Sequence, residues 1–348
     1  MREIRVDLDA VVRNYRAFKA RTSAEVCAVV KANGYGHGMH EVATALDHAG
    51  VGVLAVADLD EALELRAAGI KARIICWLLG KGDDFELAAQ SDIELGVSTF
   101  DALESALAVG AKIHIKVDTG LSRNGFAKDD WHKLFERIAG MEIYGLFSHL
   151  SNTLAADDLD QLKLFEEAVE LANGHGVTIL QRHLAATAGF IDYPQMHLDM
   201  VRIGIGIYGL SPFEDRAVDW LSPAMSAHAE IINLKRISKG QGVSYGYRFR
   251  PESDTNIALV PFGYSEGMPR VSVGHLVAIG EKRYPVVGRV AMDQFLIDLG
   301  DDEYPLGTKV EIFGETVPVE LLAQSSGTIN YEIVTRIGGR ANRVYIQR

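Results

Sequence analysis

Short apolar runs alternate with longer amphipathic segments through the first two thirds of the chain. Eight runs rich in β-branched residues span 26–30, 51–56, 73–78, 92–97, 112–117, 142–147, 178–184 and 198–203. Between them lie stretches such as DLDEALELRAAG and TFDALESALAVG, with apolar residues at helical spacing and Asp or Thr where an N-cap belongs. Eight such units predict an α/β fold, a (β/α)8 TIM-type barrel, with a doubly wound open sheet as the structural alternative.

After Pro212 the pattern changes to short alternating runs such as NIALVPFGY and TKVEIFG, separated by Gly, Asp and Pro. This alternation is typical of half-buried strands and predicts a separate, mainly β domain at the C-terminus. We place the boundary near residue 222, so that the barrel covers 1–222 and the β domain covers 223–348.

Composition excludes several classes of protein. The 348 residues are 48% hydrophobic, which excludes a mainly disordered chain. The net charge of −12 disfavours nucleic acid or an anionic membrane as a partner. Cys27 and Cys76 sit inside apolar runs, and no apolar run approaches the ~20 residues that span a bilayer. We therefore expect a soluble, cytoplasmic protein with reduced thiols.

The segment VCAVVKANGYGHG places Lys31 where the first barrel strand ends and a glycine-containing loop begins. Carboxyl ends of barrel strands face the active site, so the amine is aimed into a cleft. Keeping a free lysine neutral at pH 7 costs about 4.6 kcal/mol, a burden that imine formation with a carbonyl cofactor largely avoids. The alternative is a lysine that extends from a strand end into solvent.

A second glycine pattern, RIGIGIYGLSP, contains Gly204, Gly206 and Gly209 after the last barrel strand. A dinucleotide site requires such glycines to open a helix early in a βαβ unit, whereas Pro212 follows here at once. Loops after the last strands of a barrel commonly bind phosphate, so a phosphate-bearing cofactor fits better than NAD.

Arg202 directly precedes those glycines. A guanidinium only donates hydrogen bonds, so an arginine beside a pyridine ring would leave the ring nitrogen unprotonated. The ring is then a weaker electron sink, which suits removal and return of an α-proton. The alternative is a surface arginine that caps carbonyl groups.

Other strand ends deliver further candidates to the same rim, namely Lys116 and His149, with Arg123 in the loop KVDTGLSRNGF. In the β domain, Tyr264 follows an apolar run in PFGYSEGMPR. A tyrosine base at neutral pH needs about 3 pKa units of help from a neighbouring charge or histidine, and the alternative is a core tyrosine. His37 and His40 lack a third ligand nearby, so we propose no metal site.

The motifs VVKANGYGHG, KVDTGLSRNGF, MVRIGIGIYGLSP, PFGYSEGMPR, VVGRVAMDQ and INYEI, in this order, resemble those of alanine racemases over nearly the whole chain. The resemblance implies a barrel that binds pyridoxal 5′-phosphate, a C-terminal β domain, and a head-to-tail homodimer whose active sites draw on both subunits. The implied reaction interconverts L- and D-alanine.

The resemblance also implies roles for single residues. Lys31 matches the Schiff-base lysine and one catalytic base, and Tyr264, reaching in from the partner subunit, matches the base on the opposite face. Arg202 matches the arginine that donates to the pyridine nitrogen, and His149 matches the histidine that links this arginine to the tyrosine.

Further residues match positions that bind the cofactor or the substrate. Arg123 matches an arginine that contacts the cofactor ring oxygen and the substrate carboxylate, and the backbone N–H of Met292 matches a second carboxylate contact. Lys116 matches a lysine that is often carbamylated, an anion able to hold Arg123 in place. The positions that match phosphate contacts are Tyr35, Thr187, Gly204 and Ile205.

Several positions depart from the family pattern. Ala186 and Thr187 stand where asparagine and serine are usual, Ser122 replaces a glycine, and Glu266 replaces an aspartate. Gly339 lies where some members have a tyrosine that steadies the phosphate and the phenol, and its loss would admit larger substrates. A serine racemase or one of broader specificity therefore remains an alternative.

Two other classes share part of the plan. A decarboxylase of basic amino acids generally carries a cysteine in the second domain, whereas both cysteines here precede residue 222. A non-catalytic carrier of pyridoxal phosphate resembles the barrel alone, and the long β domain with Tyr264 disfavours it.

Overall fold

The computed structural model describes residues 1–272 and 274–347. The strands are β1 (Arg2–Asp7), β2 (Glu25–Val29), β3 (Val53–Val56), β4 (Arg73–Cys76), β5 (Ile93–Val97), β6 (Ile113–Lys116), β7 (Glu142–Ile143), β8 (Gly145–Phe147), β9 (Thr178–Ile179), β10 (Arg182–His183), β11 (Met200–Ile203), β12 (Met225–Glu230), β13 (Asn233–Ile237), β14 (Thr255–Val260), β15 (Leu276–Ile279), β16 (Lys282–Val287), β17 (Phe295–Gly300), β18 (Lys309–Phe313) and β19 (Asn342–Ile346). The helical segments are α1 (Leu8–Lys19), α2 (Lys31–Tyr35), α3 (Met39–His48), α4 (Leu59–Ala67), α5 (Phe85–Gln90), α6 (Phe100–Ala108), α7 (Trp131–Arg137), α8 (Ala155–Gly174), α9 (Thr187–Asp192), α10 (Val319–Ser325) and α11 (Asn330–Arg336).

Eight parallel strands form a barrel in the order β10-β8-β6-β5-β4-β3-β2-β11. The two end strands are joined by backbone hydrogen bonds, from Asp199 N to Arg182 O at 3.1 Å and from Arg202 N to Ala185 O at 3.0 Å. Each predicted apolar run contributes one barrel strand, because strands covered by helices on their outer face are mainly apolar. The barrel prediction is confirmed, and the doubly wound alternative is wrong.

Two of the predicted runs are each divided into two short strands. The run 142–147 contains β7 and β8, and the run 178–184 contains β9 and β10. Strands β8 and β10 belong to the barrel, whereas β7 and β9 pair in parallel with each other as a separate two-stranded sheet.

Short polar side chains begin the helices outside the barrel, as the sequence pattern predicts. The hydroxyl or carboxylate oxygens accept hydrogen bonds from backbone N–H groups three residues on, at 2.9 to 3.3 Å. These N-cap residues are Asp7, Asp58, Asp84 and Thr99. Each such cap contributes about 1 kcal/mol to its helix.

The second sheet has the order β13-β14-β17-β16-β15-β18-β12-β1-β19 and forms the C-terminal β domain. Strand β1, from the start of the chain, pairs antiparallel with β12 and parallel with β19. Residues 2–7 fall inside the predicted barrel range of 1–222 but pair with strands of the β domain. Their alternating burial suits a sheet with one covered face, and the pattern alone does not say which sheet. The boundary near residue 222 stays a prediction.

The barrel interior is divided between an apolar part and a polar part. A separate apolar cluster comprises Cys27, Val29, Val53, Ala55, Ile75 and Met200. The polar part contains four buried side chains, Glu94, His114, His183 and Arg202. In the described part of the chain, every helix is too short or too polar to cross a bilayer.

Candidate active site

A cavity of about 590 Å³ opens at the carboxyl ends of the barrel strands and extends toward α11. It brings together nine of the residues singled out from the sequence, which are Lys31, Tyr35, Lys116, Arg123, His149, Thr187, Arg202, Gly204 and Ile205. Residues from widely separated parts of the chain meet there because parallel barrel strands all end at the same rim.

Lys31 begins a tight left-handed turn, α2. Ala32, Asn33 and Tyr35 have φ angles between 51° and 54°, which cost non-glycine residues roughly 1–2 kcal/mol each. The Glu61 carboxylate fixes the turn by accepting the Ala32 N–H at 2.6 Å. The strained turn thus aims the lysine from the end of β2 into the cavity.

The surroundings of Lys31 favour a neutral amine. Burial lowers the pKa of this ammonium group, and the positive charge of Arg123 lowers it further, while Glu61 opposes them. A lowered pKa increases the fraction of nucleophilic amine at neutral pH.

Arg202 is buried at the end of β11, so the surface-arginine alternative is wrong. Its guanidinium donates to the carbonyl oxygens of Ser148 at 2.6 Å, and of His183 and Leu184 at 2.9 Å. It also lies 3.3 Å from Nδ1 of His149. Burial lowers the pKa of Arg202 to about 10, which leaves the side chain a cation and a donor at pH 7.

His149 is neutral in this environment. Burial, together with the nearby cations Arg202 and Arg123, lowers the pKa of this imidazole to about 3. Because Arg202 only donates, Nδ1 of His149 accepts the hydrogen bond and the proton resides on Nε2.

Lys116 lies in the same group of cations at the end of β6. Burial lowers the pKa of its ammonium to about 8, with contributions from Arg202 and Arg123. A concentration of positive charge of this kind attracts anions and favours the neutral amine.

The glycine pattern after β11 forms a small cradle of backbone donors. The hydroxyl oxygen of Thr187 accepts the N–H groups of Gly204 at 3.2 Å and Gly206 at 3.4 Å. A Cβ atom at Gly204 would lie 2.4 Å from the Tyr35 hydroxyl oxygen, so a side chain there would displace the Tyr35 phenol. Hydroxyl groups and backbone N–H groups are the donors that bind phosphate, and this set fits a phosphate-bearing cofactor.

Tyr264 and Met292 do not line this cavity. Both are exposed on the surface of the β domain, Tyr264 by 42% and Met292 by 54%. Their segments are adjacent, since the Tyr264 N–H donates to Ala291 O at 3.1 Å and the Ser265 N–H to Met292 O at 2.9 Å. The core-tyrosine alternative is wrong.

The sequence reasoning missed a chain of buried side chains beneath Arg202. It consists of His183, His114 and Glu94, which occupy the polar part of the barrel interior. One signal was available, because His114 and Lys116 are two residues apart on β6 and therefore share a face. No local signal identifies His183 or Glu94 as their neighbours.

The rim of the barrel brings together a lysine amine, an arginine that only donates, and hydroxyl and backbone groups suited to phosphate, and the barrel is joined to a β domain. This combination is typical of cofactor-dependent enzymes that act on amines. Two family models match the chain, alanine racemase N-terminal domain over residues 6–212 and alanine racemase C-terminal domain over residues 224–345. The chain belongs to the alanine racemase family.

Individual relatives agree with this assignment. The alanine racemase of Thermobifida fusca is 40% identical over 99% of this chain and 97% of the relative. The crystal structure of alanine racemase from D-cycloserine producing Streptomyces lavendulae has a TM-score of 0.96 at 39% identity, over 100% of this chain and 97% of that one. The alanine racemase from Bacillus anthracis with bound L-Ala-P has a TM-score of 0.87 at 35% identity, over 99% and 95% of the two chains.

Proposed function

We propose that this protein interconverts L- and D-alanine with bound pyridoxal 5′-phosphate and that it works as a homodimer. The observation that carries the proposal is the meeting of Lys31, Arg202 and the Thr187–Gly204 cradle in one cavity. Family membership supports the same reaction, and the relatives described above are alanine racemases.

The cofactor is held at two ends in this proposal. The hydroxyls of Tyr35 and Thr187 and the backbone at Gly204 and Ile205 bind the phosphate, while Lys31 binds the aldehyde. When bound, pyridoxal phosphate supplies an electron sink that acidifies the α-hydrogen of an amino acid. Arg202 donates to the ring nitrogen and keeps it unprotonated, which weakens the sink and limits side reactions.

Two bases on opposite faces of the substrate account for inversion. The Lys31 amine removes or returns the proton on one face, and its lowered pKa favours the neutral form that acts as a base. The partner subunit's Tyr264 acts on the other face, which agrees with the exposure of this side chain in a single chain. His149 links Arg202 to this phenol.

The substrate carboxylate binds to Arg123 and to the backbone N–H of Met292 from the partner subunit. We propose that Lys116 is carbamylated, because its lowered pKa provides the neutral amine that reacts with carbon dioxide. The carbamate would orient Arg123 and relieve the repulsion among the cations. The cytoplasm is the proposed location.

Borohydride trapping tests the cofactor assignment. The protein is incubated with pyridoxal phosphate, reduced, digested and mapped by mass spectrometry. We expect the label on Lys31, its loss in Lys31→Ala, and its retention in the control Lys116→Met. A label elsewhere in the wild-type protein contradicts the assignment.

Substrate class is tested with L-alanine, L-serine and L-lysine in deuterated water, scored for α-deuterium and for inversion. Inversion of alanine supports the proposal, and release of an amine from lysine identifies a decarboxylase instead. A broader racemase is the second candidate, because Gly339 stands where some members of the family have a tyrosine that steadies the phosphate and the catalytic phenol. Inversion of serine at a rate similar to that of alanine would support it.

A further inference from the structure

The turn that carries Tyr264 is tied to the turn that carries Met292 by one arginine of the C-terminal segment. Arg340 Nε donates to Glu266 Oε1 at 2.6 Å, and its Nη2 atom lies 2.7 Å from Asp293 Oδ1. The same nitrogen donates to the Ser265 hydroxyl. We call Arg340, Glu266 and Asp293 the Arg340 clasp.

Glu266 anchors the clasp inside the protein. Its side chain is fully buried, and its second oxygen accepts the Gly263 N–H at 2.9 Å. Burial alone would raise the pKa of this carboxyl, but hydrogen bonds from Arg340, Gly263 and Ser265 lower it overall. A buried carboxylate is costly to leave without a direct cation partner. The other guanidinium nearby, that of Arg2, lies 3.6 Å from Glu266 Oε1 and donates to Pro261 O, so Arg340 is the cation that hydrogen-bonds to Glu266 and holds the turn.

The backbone around the clasp leaves little space for movement. A Cβ atom at Gly263 would lie 2.2 Å from Met292 O, and one at Gly339 would lie 2.1 Å from Ser265 O. The Ser265 hydroxyl also donates to Met292 O at 2.7 Å. The three chain segments that contain Gly263, Met292 and Gly339 therefore pack in close contact. The Arg340 clasp links them on the side that faces solvent.

We propose that Arg340 is a positioning residue that fixes the Tyr264 phenol relative to the Met292 N–H. The inference rests on the proposed function, in which both groups act on the same substrate from the partner subunit. The planar guanidinium suits this role because two separate nitrogens, Nε and Nη2, each face a different carboxylate in a rigid fork, whereas a lysine offers a single nitrogen on a flexible stem. The Arg340 clasp affects only the base on the Tyr264 face of the substrate, because Lys31, the base on the opposite face, comes from the other subunit.

The variants separate positioning from general stability. Arg340→Gln removes the clasp, Arg340→Lys keeps the charge without the fork, and Asp293→Asn removes only the exposed arm. Arg236→Gln is the matched control, because Arg236 pairs with Asp301 in the same domain and is 49% exposed, against 50% for Arg340.

The first measurement is amide hydrogen exchange in the protein without added cofactor. We expect Arg340→Gln to exchange at least ~10-fold faster over residues 262–268 and 291–294, with the control unchanged. Unaltered protection of these segments in Arg340→Gln would overturn the proposal.

The second measurement is α-hydrogen exchange of each alanine enantiomer in deuterated water with the loaded protein. In the proposed two-base assignment, Tyr264 acts on the α-hydrogen of L-alanine and Lys31 on that of D-alanine. We therefore expect Arg340→Gln to slow exchange of L-alanine ~10- to 100-fold more than that of D-alanine, because a small displacement of a base is costly. We expect the L-alanine exchange rate of Arg340→Lys to lie between those of the wild type and Arg340→Gln, and Asp293→Asn to slow this exchange less than Arg340→Gln does.

Equal slowing of the exchange of both enantiomers, or no slowing, would overturn the positioning role. If the wild-type protein fails to invert alanine while the hydrogen-exchange result holds, the proposed function fails instead.

Discussion

Nη1 of Arg202 lies 2.9 Å from Nδ1 of His183, and both side chains are buried inside the barrel. Arginine only donates, so Nδ1 of His183 accepts and its proton resides on Nε2. His183 Nε2 lies 3.0 Å from His114 Nδ1, and His114 Nε2 lies 2.8 Å from Glu94 Oε2. A carboxylate only accepts, so every hydrogen bond of the chain runs from Arg202 toward Glu94.

Burial lowers the pKa of both histidines, so the chain connects one cation and one anion through two neutral rings. The opposite end is fixed by Arg73, which donates to Glu94 at 2.7 and 2.8 Å. The hydrogen bonds from His114 and Arg73 outweigh burial and lower the pKa of Glu94 to about 2. The arrangement holds Arg202 in one orientation at the cavity.

Glu94→Gln tests this arrangement. An amide offers Arg73 and His114 one acceptor instead of two, so we expect a loss of ~3 kcal/mol in the free energy of unfolding. Glu25→Gln is the control, because Glu25 contacts the same arginine at 3.2 Å but is partly exposed, and we expect it to cost under ~1 kcal/mol. Urea unfolding measures both, and equal losses would contradict the importance of the chain.

The sequence predicted the barrel and its rim because both depend on local patterns. An apolar run identifies a strand, and a charged residue at its end, such as Lys31 or Lys116, is thereby placed at the rim. The chain from Arg202 to Glu94 was not predictable, since it depends on which strands become neighbours and on their register. For the same reason the alternation in β1 predicted a strand but not its place in the second sheet.

His37 makes the stability depend on pH. It is fully buried, and burial lowers its pKa to about 4, although its Nδ1 lies 3.0 Å from Tyr35 O. The unfolded chain binds the proton near pH 6.5 and the folded protein does not, so stability falls as the pH is lowered from about 6.5 to about 4. His37→Asn keeps a donor without a titrating ring.

We expect the slope of unfolding free energy against pH to decrease in His37→Asn by up to ~1.4 kcal/mol per pH unit in this range, the value for one proton. Urea unfolding between pH 7 and 4 measures the slope. Parallel curves for the variant and the wild type would show that His37 does not carry this effect.

Ser122 has a backbone conformation that normally favours glycine. Its φ is 56°, in the left-handed region, and its N–H donates to Asp118 Oδ1 at 3.1 Å. Ser122→Gly removes the steric cost of a Cβ there and is expected to raise the unfolding free energy by ~1 kcal/mol.

Ser105→Gly is the matched control for this change. Ser105 lies inside α6, where glycine is unfavourable, and we expect a loss of ~0.5 kcal/mol. Thermal unfolding of both variants gives the signs, and a loss in Ser122→Gly would contradict the backbone interpretation.

Tyr264→Phe tests the assignment of two bases to two faces. The phenol is exposed and lies apart from the cavity of its own chain, so its loss removes one proton path and leaves the Lys31 path intact. We expect α-hydrogen exchange of L-alanine to slow by ~10²- to 10⁴-fold, the usual contribution of a general base. Exchange of D-alanine without inversion should continue close to the wild-type rate.

Tyr245→Phe is the control, because Tyr245 is another exposed tyrosine of the β domain, and it should leave both rates unchanged. NMR in deuterated water follows both enantiomers, and equal slowing of the two would mean that Lys31 and Tyr264 do not divide the faces between them.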